Sequence, residues 1–246
     1  MSAQGLLRAE LLKLRSVRSS TWLLVAGAGL SALALSGSVA SGAVPDLASE
    51  DGLRVVLQHG GVGAILPLVL GILMSAGEYR QGTVVDTFLT EPRRARVVVG
   101  KLVTAGVLGL IAGVITSVTT AVAAAAWYAA KDVDLDLTSG VAVRSLVGVA
   151  VWALLYAALG VAIGAVIRTP PTAIVAAVVW LFIIESAVAG LVVDLGKWLP
   201  GTAASALGNA PADGLLSQAG GGAVLLGWLV VAAGAAVAVT RRRDVT

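Results

Sequence analysis

The sequence predicts an all-α polytopic membrane protein with six transmembrane helices and both termini in the cytoplasm. Three observations carry that expectation. Hydrophobic residues make up 58% of the 246 positions and charged residues only 13%, about half of what a soluble domain carries. Six apolar segments reach the roughly 20 residues that a spanning helix requires. The Lys and Arg residues are divided unevenly between the loops that join those segments.

The chain opens with QGLLRAELLKLRSVR over 4–18. Leu7, Leu11 and Leu14 form a helical stripe with Arg8 and Arg15 beside it, although Leu12 falls off the stripe. Two readings fit: a helix lying on the cytoplasmic membrane surface, or a basic anchor that only sets topology. The first span covers 21–43, and from Trp22 it is long enough to cross rather than serve as a cleaved leader. The second covers 55–76, with Pro67 inside it as an expected kink.

Residues 77–96, GEYRQGTVVDTFLTEPRRAR, form the most charged internal stretch. Thr83 can cap a helix, with Asp86 three residues later where a capping-box acid would sit. Val84, Val85, Phe88 and Leu89 share one helical face, and Pro92 disfavours helix at Glu91. The pattern predicts a short helix over 84–90, about 10 Å long and too short to be stable alone. Its apolar face needs cover from the membrane surface, the rest of the chain or a cytoplasmic partner. Glu78, Arg80, Glu91, Arg93 and Arg94 frame it with charges that suit a protein–protein rim. The bland alternative is a solvated loop whose arginines hold topology.

The third span, 98–128, is the longest, and the fourth and fifth cover 142–167 and 172–193. Glu185 is the one acid deep within a span. An acid there is costly, about 2.5–3.5 kcal/mol on insertion scales, and is a functional candidate by default. It could be a protonated group at a subunit seam, a contact for a cationic substrate, or a structural hydrogen-bonding group. Residues 194–221 form an outer loop broken by Pro200, Gly201, Pro211 and Gly214, and the last span covers 222–240. Gly109-x-x-x-Gly113 and Gly160-x-x-x-Gly164 have close-packing spacing without indicating a particular interface.

With the N-terminus inside, thirteen of the 17 basic residues face the cytoplasm. Outside lie only Arg54, Lys131, Arg144 and Lys197, and there the acids Asp46, Glu50, Asp51, Asp132, Asp134, Asp136, Asp194 and Asp213 collect. An odd number of spans would put Arg241, Arg242 and Arg243 outside. The whole chain therefore reads as one membrane domain whose basic residues set topology rather than bind nucleic acid. There is no Cys, so no disulfide framework. No G-x-x-x-x-G-K-[ST] occurs, so ATP binding through a P-loop is not expected. His59 is the only His and cannot build a zinc site alone; an interfacial role is expected for it.

The order of these parts resembles a known family. A basic amphipathic start, two spans, the segment Glu78-Tyr79-Arg80-Gln81-Gly82-Thr83 with Glu91-Pro92-Arg93-Arg94, and four further spans are similar to permeases of ABC transporters of the type 2 exporter class. The resemblance implies that 78–94 is a coupling helix against a P-loop ATPase, with Glu78, Tyr79, Arg80, Gly82, Thr83, Val85, Phe88, Leu89, Glu91, Pro92, Arg93 and Arg94 on that side. It implies that 4–18 is an interface helix touching the same ATPase, and that 194–221 contains short re-entrant helices. Two permease copies, here a homodimer, and two ATPases would make one transporter in a bacterial cytoplasmic membrane. ATP and Mg²⁺ would bind the partner, so this chain would be no enzyme and hold no cofactor. Two alternatives stand beside it: a gradient-driven carrier using Glu185, and a membrane scaffold for a cytoplasmic protein.

Overall fold

A computed structural model describes residues 18–44, 46–90 and 93–242. The expected surface helix over 4–18, with Leu7, Arg8, Leu11, Leu14 and Arg15, lies outside the described residues. Six helical segments are long and apolar enough to cross a membrane, and no strand occurs among the described residues. The first is α1 (Arg18–Ala40). The second is built from α2 (Glu50–Gln58), α3 (Gly60–Gly63) and α4 (Ile65–Gln81). The short helix α5 (Val84–Thr90) follows, and then α6 (Arg94–Ala130) and α7 (Gly140–Ile167). The fifth span, α8 (Pro170–Leu191), contains a π-helical turn at Trp180–Ile184. Two short helices, α9 (Val193–Gly196) and α10 (Pro200–Leu207), lead to α11 (Gln218–Arg242).

Local chemistry explains where these helices begin and end. Ser139 starts α7 by accepting the Ala142 amide on its hydroxyl at 3.2 Å. Just before it, the Asp136 carboxylate accepts the Thr138 hydroxyl and amide, which hold its pKa below the usual value. At its other end α7 stops at Arg168, whose left-handed φ of 65° reverses the chain. Thr169 then takes an extended conformation and Pro170 opens α8, where its missing N–H costs nothing.

Polarity within the bundle is inverted relative to a soluble protein. Along α6, Val99, Val103, Val107, Leu110, Val114, Val118 and Val122 stand exposed. Thr104, Ala112, Thr116 and Thr120 on the same helix are buried. Lipid takes the branched side chains, while small and hydroxylated residues let helices approach. Two of the threonines return their protons locally, Thr104 Oγ1 to the Gly100 carbonyl at 2.9 Å and Thr116 Oγ1 to the Gly113 carbonyl at 3.0 Å.

α7 is the centre of the bundle, and both close-packing motifs converge on it. Gly109 and Gly113 bring α6 against it: an added Cβ would meet the Ala153 carbonyl at 2.4 Å and the Ala150 Cα at 2.6 Å. Gly160 and Gly164 do the same for α4, where the Leu68 and Ile72 carbonyls lie 2.0 and 2.8 Å from such a Cβ. The core that results joins Leu68, Ile72, Tyr156, Leu159, Ala203 and Leu225 from four helices. The segment 194–221, expected to hold short helices, contains α10 packed between α7 and α11, with Ala203 and Ala204 fully buried.

The second span is interrupted twice, at His59 and at Ala64. The second interruption lies three residues before Pro67, which has no N–H to donate to the Gly63 carbonyl. Ser31 of α1, fully buried, repairs the backbone there. Its hydroxyl donates to the Gly60 carbonyl at 3.2 Å and accepts the Gly63 amide at 3.1 Å. Broken backbone at membrane depth requires such partners.

Gly160→Ala should separate α4 from α7 and lower stability by about 1–3 kcal/mol, the usual cost of overpacking. Gly234→Ala, where no atom lies within 4 Å of the added Cβ, should be neutral. Thermal unfolding in mild detergent reads both, and equal melting temperatures would show that the α4–α7 contact does not limit stability.

Candidate functional site

Two places concentrate polar chemistry, one at each end of the bundle. At the first, α4 ends on Gly82, whose left-handed φ of 71° turns the chain into α5. The Thr83 carbonyl accepts the Thr87 amide at 3.2 Å, so the helix begins at Val84 as the sequence predicts. Val84 is buried at 4% exposure and anchors α5 to the bundle. Val85 and Leu89, one turn apart, are 43% and 76% exposed. The side chains of Asp86 and Phe88, and all of Glu91 and Pro92, lie outside the described residues.

The flanking charges divide. Arg80, Arg93 and Arg96 are exposed, as a rim would be. Glu78 instead turns inward, and its Oε1 lies 2.7 Å from the Nζ of Lys101 on α6. Their side chains are only 11% and 7% exposed. Arg94 also reaches into the bundle, donating from Nη1 to the Thr240 carbonyl of α11 at 2.9 Å. The Arg168 guanidinium sits over the Tyr79 ring, 4.8 Å from its centroid, a cation–π contact. Ion pair, hydrogen bond and ring contact thus tie the two helix ends beside α5 to each other, to α11 and to the end of α7.

Sequence reasoning placed Glu78 and Arg94 on an outward rim because their neighbours are charged. The pairing of Glu78 with Lys101 spans two helices and a turn, and no local pattern reveals it. The available signal was Lys101 itself, a cation just inside the third apolar segment that needs a carboxylate nearby.

At the opposite end the fifth span loses its regular ladder in the π-helical turn, an irregularity common at functional positions. Directly after it comes Glu185, buried at 3% exposure. Its Oε2 accepts the Gly201 amide at 2.7 Å. Pro200 has no N–H, so Gly201 is the first amide at the N-terminus of α10 that can donate. The Thr202 amide and the Trp180 indole lie near enough to act on the same carboxyl group. A Cβ at residue 201 would come 2.5 Å from Oε2, so a larger residue there would push the Glu185 carboxyl group aside. Glu185 therefore has a structural bond, while its Oε1 has no hydrogen-bond partner within the protein.

Glu185 lines a cavity of about 510 Å³ together with His59, Trp152, Thr202 and Ser205. His59, expected at an interface, stands on this wall with Nδ1 2.7 Å from the Val55 carbonyl. Among the described residues no cluster of His, Asp and Glu could hold a metal ion.

Lys101→Met should lower stability by about 3–5 kcal/mol, because it removes the charge partner of a buried carboxylate. The exchanged pair Glu78→Lys with Lys101→Glu should recover part of that loss. A double-mutant cycle on thermal unfolding measures the coupling, and strictly additive effects would show that the pair contributes nothing.

A comparison with known families agrees with this architecture. Residues 59–245 match the family model described as ABC-2 family transporter protein. Among curated proteins no match is found. The match takes in the last four spans whole, the second from His59 onward, α5 and every lining residue of the cavity except Gln58. The chain belongs to the ABC-2 family of transporter proteins and is a membrane permease of an ABC transporter.

Proposed function

We propose that the chain is the membrane-spanning half of an ATP-driven exporter and that α5 docks a separate P-loop ATPase. The observation that carries this reading is the ridge of Val85 and Leu89 on α5, exposed on a seven-residue helix that is anchored by buried Val84. Such a helix is too short to persist on its own, and its exposed apolar ridge suits a partner's groove. Arg80, Arg93 and Arg96 surround it as a polar rim.

In this reading two ATPase copies bind ATP and Mg²⁺ and close, and their closure presses on α5. The Glu78–Lys101 ion pair carries the displacement to the second and third spans together, because neither helix end can move alone without leaving a buried charge less well matched. Arg94 passes it to α11 through the Thr240 carbonyl. The movement is a rigid-body tilt of packed helices. A second, identical permease completes the path, with N- and C-termini in the cytoplasm of a bacterial cell. The exposed apolar surface of α8, where Val175, Phe182 and Ile183 stand free of this chain, is available for that copy or for lipid. The gradient-driven alternative loses ground, because its one acid, Glu185, already caps α10.

Leu89→Asp should weaken association with the ATPase at least about tenfold, the loss expected from about 1.5–3 kcal/mol of leucine burial, and uncouple hydrolysis from transport. Affinity purification from native membranes reads the first effect and transport in vesicles the second. An ATPase that stays bound to the Leu89→Asp protein, with transport unchanged, would remove α5 from the docking surface.

A further inference from the structure

The cavity beside Glu185 has an unusual balance of hydrogen-bonding groups. Three serine and threonine hydroxyls line it, and each spends its proton on a backbone carbonyl. Ser186 Oγ donates to the Phe182 carbonyl at 2.9 Å and Ser205 Oγ to the Gly201 carbonyl at 3.1 Å. Thr202 Oγ1 donates to the Leu199 carbonyl at 3.0 Å and also contacts the Gly196 carbonyl. What these oxygens have left is acceptor capacity.

His59 follows the same logic. A carbonyl only accepts, so the 2.7 Å contact with Val55 puts the proton on Nδ1 and leaves Nε2 of the neutral ring as an acceptor. Glu185 Oε1, buried and without a partner in the protein, is a further acceptor. Against these the wall sets the Trp152 Nε1–H, the Tyr156 hydroxyl and the Gln58 amide, and no Lys or Arg among its described lining residues. A wall so rich in acceptors, with one acid and no cation, matches a ligand group that carries several N–H donors and positive charge.

A second hollow adjoins the first. It has a volume of about 280 Å³ and its wall is almost wholly apolar, with Leu159, Ile163, Trp180 and Trp228 among its lining residues. Tyr156 and Leu181 belong to the walls of both hollows. Trp180 is 37% exposed, so the apolar hollow has an open side toward the surroundings of the bundle. Both hollows are bounded by helices of one chain.

We infer that this pair of hollows is a binding site for an amphiphile bearing a primary or secondary ammonium group, its N–H donors held by Glu185, His59 and the three hydroxyls and its apolar body lying against Trp180 and Trp228. Glu185 keeps Oε2 on Gly201 and offers Oε1 to the ligand, so one carboxyl group both closes α10 and reads the ammonium. That the ligand is cargo rests on the permease reading; that it binds does not. An amine-headed phospholipid and an exported amine present the same group, and the experiment separates them.

The test is native mass spectrometry of the full chain released from dodecyl maltoside, titrated with dodecylammonium. Wild type should bind one dodecylammonium per chain saturably. Glu185→Gln keeps an oxygen for the Gly201 amide, so α10 stays capped and size exclusion should show an unchanged monodisperse protein. Loss of the charged acceptor should weaken binding roughly 10–100-fold, the span for hydrogen bonds to charged groups. Dodecyltrimethylammonium, with the same charge and no N–H, should bind about tenfold more weakly than dodecylammonium, and dodecanol more weakly still. Leu89→Asp should bind as wild type does, so a failed docking surface and a failed cavity give different results. Displacement of the probe by phosphatidylethanolamine assigns the site to a lipid headgroup, and indifference to it assigns the site to a soluble amine. Equal dodecylammonium affinity in wild type and Glu185→Gln, or equal affinity for the trimethylated probe, would overturn the proposal.

Discussion

The fold depends on backbone-to-backbone contact at α7. Lipid is as apolar as a leucine side chain, so burial of hydrocarbon gives membrane helices little reason to associate. What holds them is dispersion between closely fitted surfaces. Gly160 and Gly164 put the carbonyls of α4 within contact of α7, and Gly109 and Gly113 do the same for α6. Once the two long helices are fixed on α7, the remaining positions follow. α10 fits against Gly148, where a Cβ would stand 2.0 Å from the Leu207 carbonyl. α11 then closes over α10, with Gln218 Nε2 donating to the carbonyls of Arg144 and Leu207 at 2.7 and 2.9 Å.

That close packing also explains how polar chemistry survives in so apolar a chain. Three buried polar contacts have their partner supplied by a neighbouring helix held near enough to reach. Ser31 of α1 repairs the break in the second span, and Lys101 of α6 meets Glu78 of α4. Gly201 of α10 meets Glu185 of α8. The two ends serve different purposes with the same device. At the α5 end the buried pair ties two separate helix ends to each other. At the other end the carboxyl group holds a short helix in place and keeps one oxygen in reserve.

Much of this architecture was legible in the sequence. Hydropathy located all six spans, because spanning helices are long and continuous in composition. Thr83 and the valine–phenylalanine–leucine face located α5 to the residue, because capping and periodicity are local signals. Pro67 marked the break at Ala64, but the earlier break at His59 carried no such mark, and Ser31, which repairs the backbone there, lies some thirty positions away in α1. Glu78 was misread as part of a rim for a similar reason: its charged neighbours are adjacent in sequence, whereas Lys101 is adjacent only in space. The acceptor-rich cavity was not legible at all. It draws on Gln58, Trp152, Glu185 and Ser205 from four separate segments, and Glu185 alone gave a signal, as an acid in an apolar run.

The π-helical turn at Trp180–Ile184 sets what α8 can present to the cavity. A π turn holds one residue more than an α-helix needs over the same rise, and its wider girth absorbs the surplus, so the helix before and after it keeps its phase. Deletion of one residue from this turn would leave the rest of α8 facing as it does. The wall of the cavity can therefore gain or lose a side chain here without any renegotiation of the bundle that surrounds it.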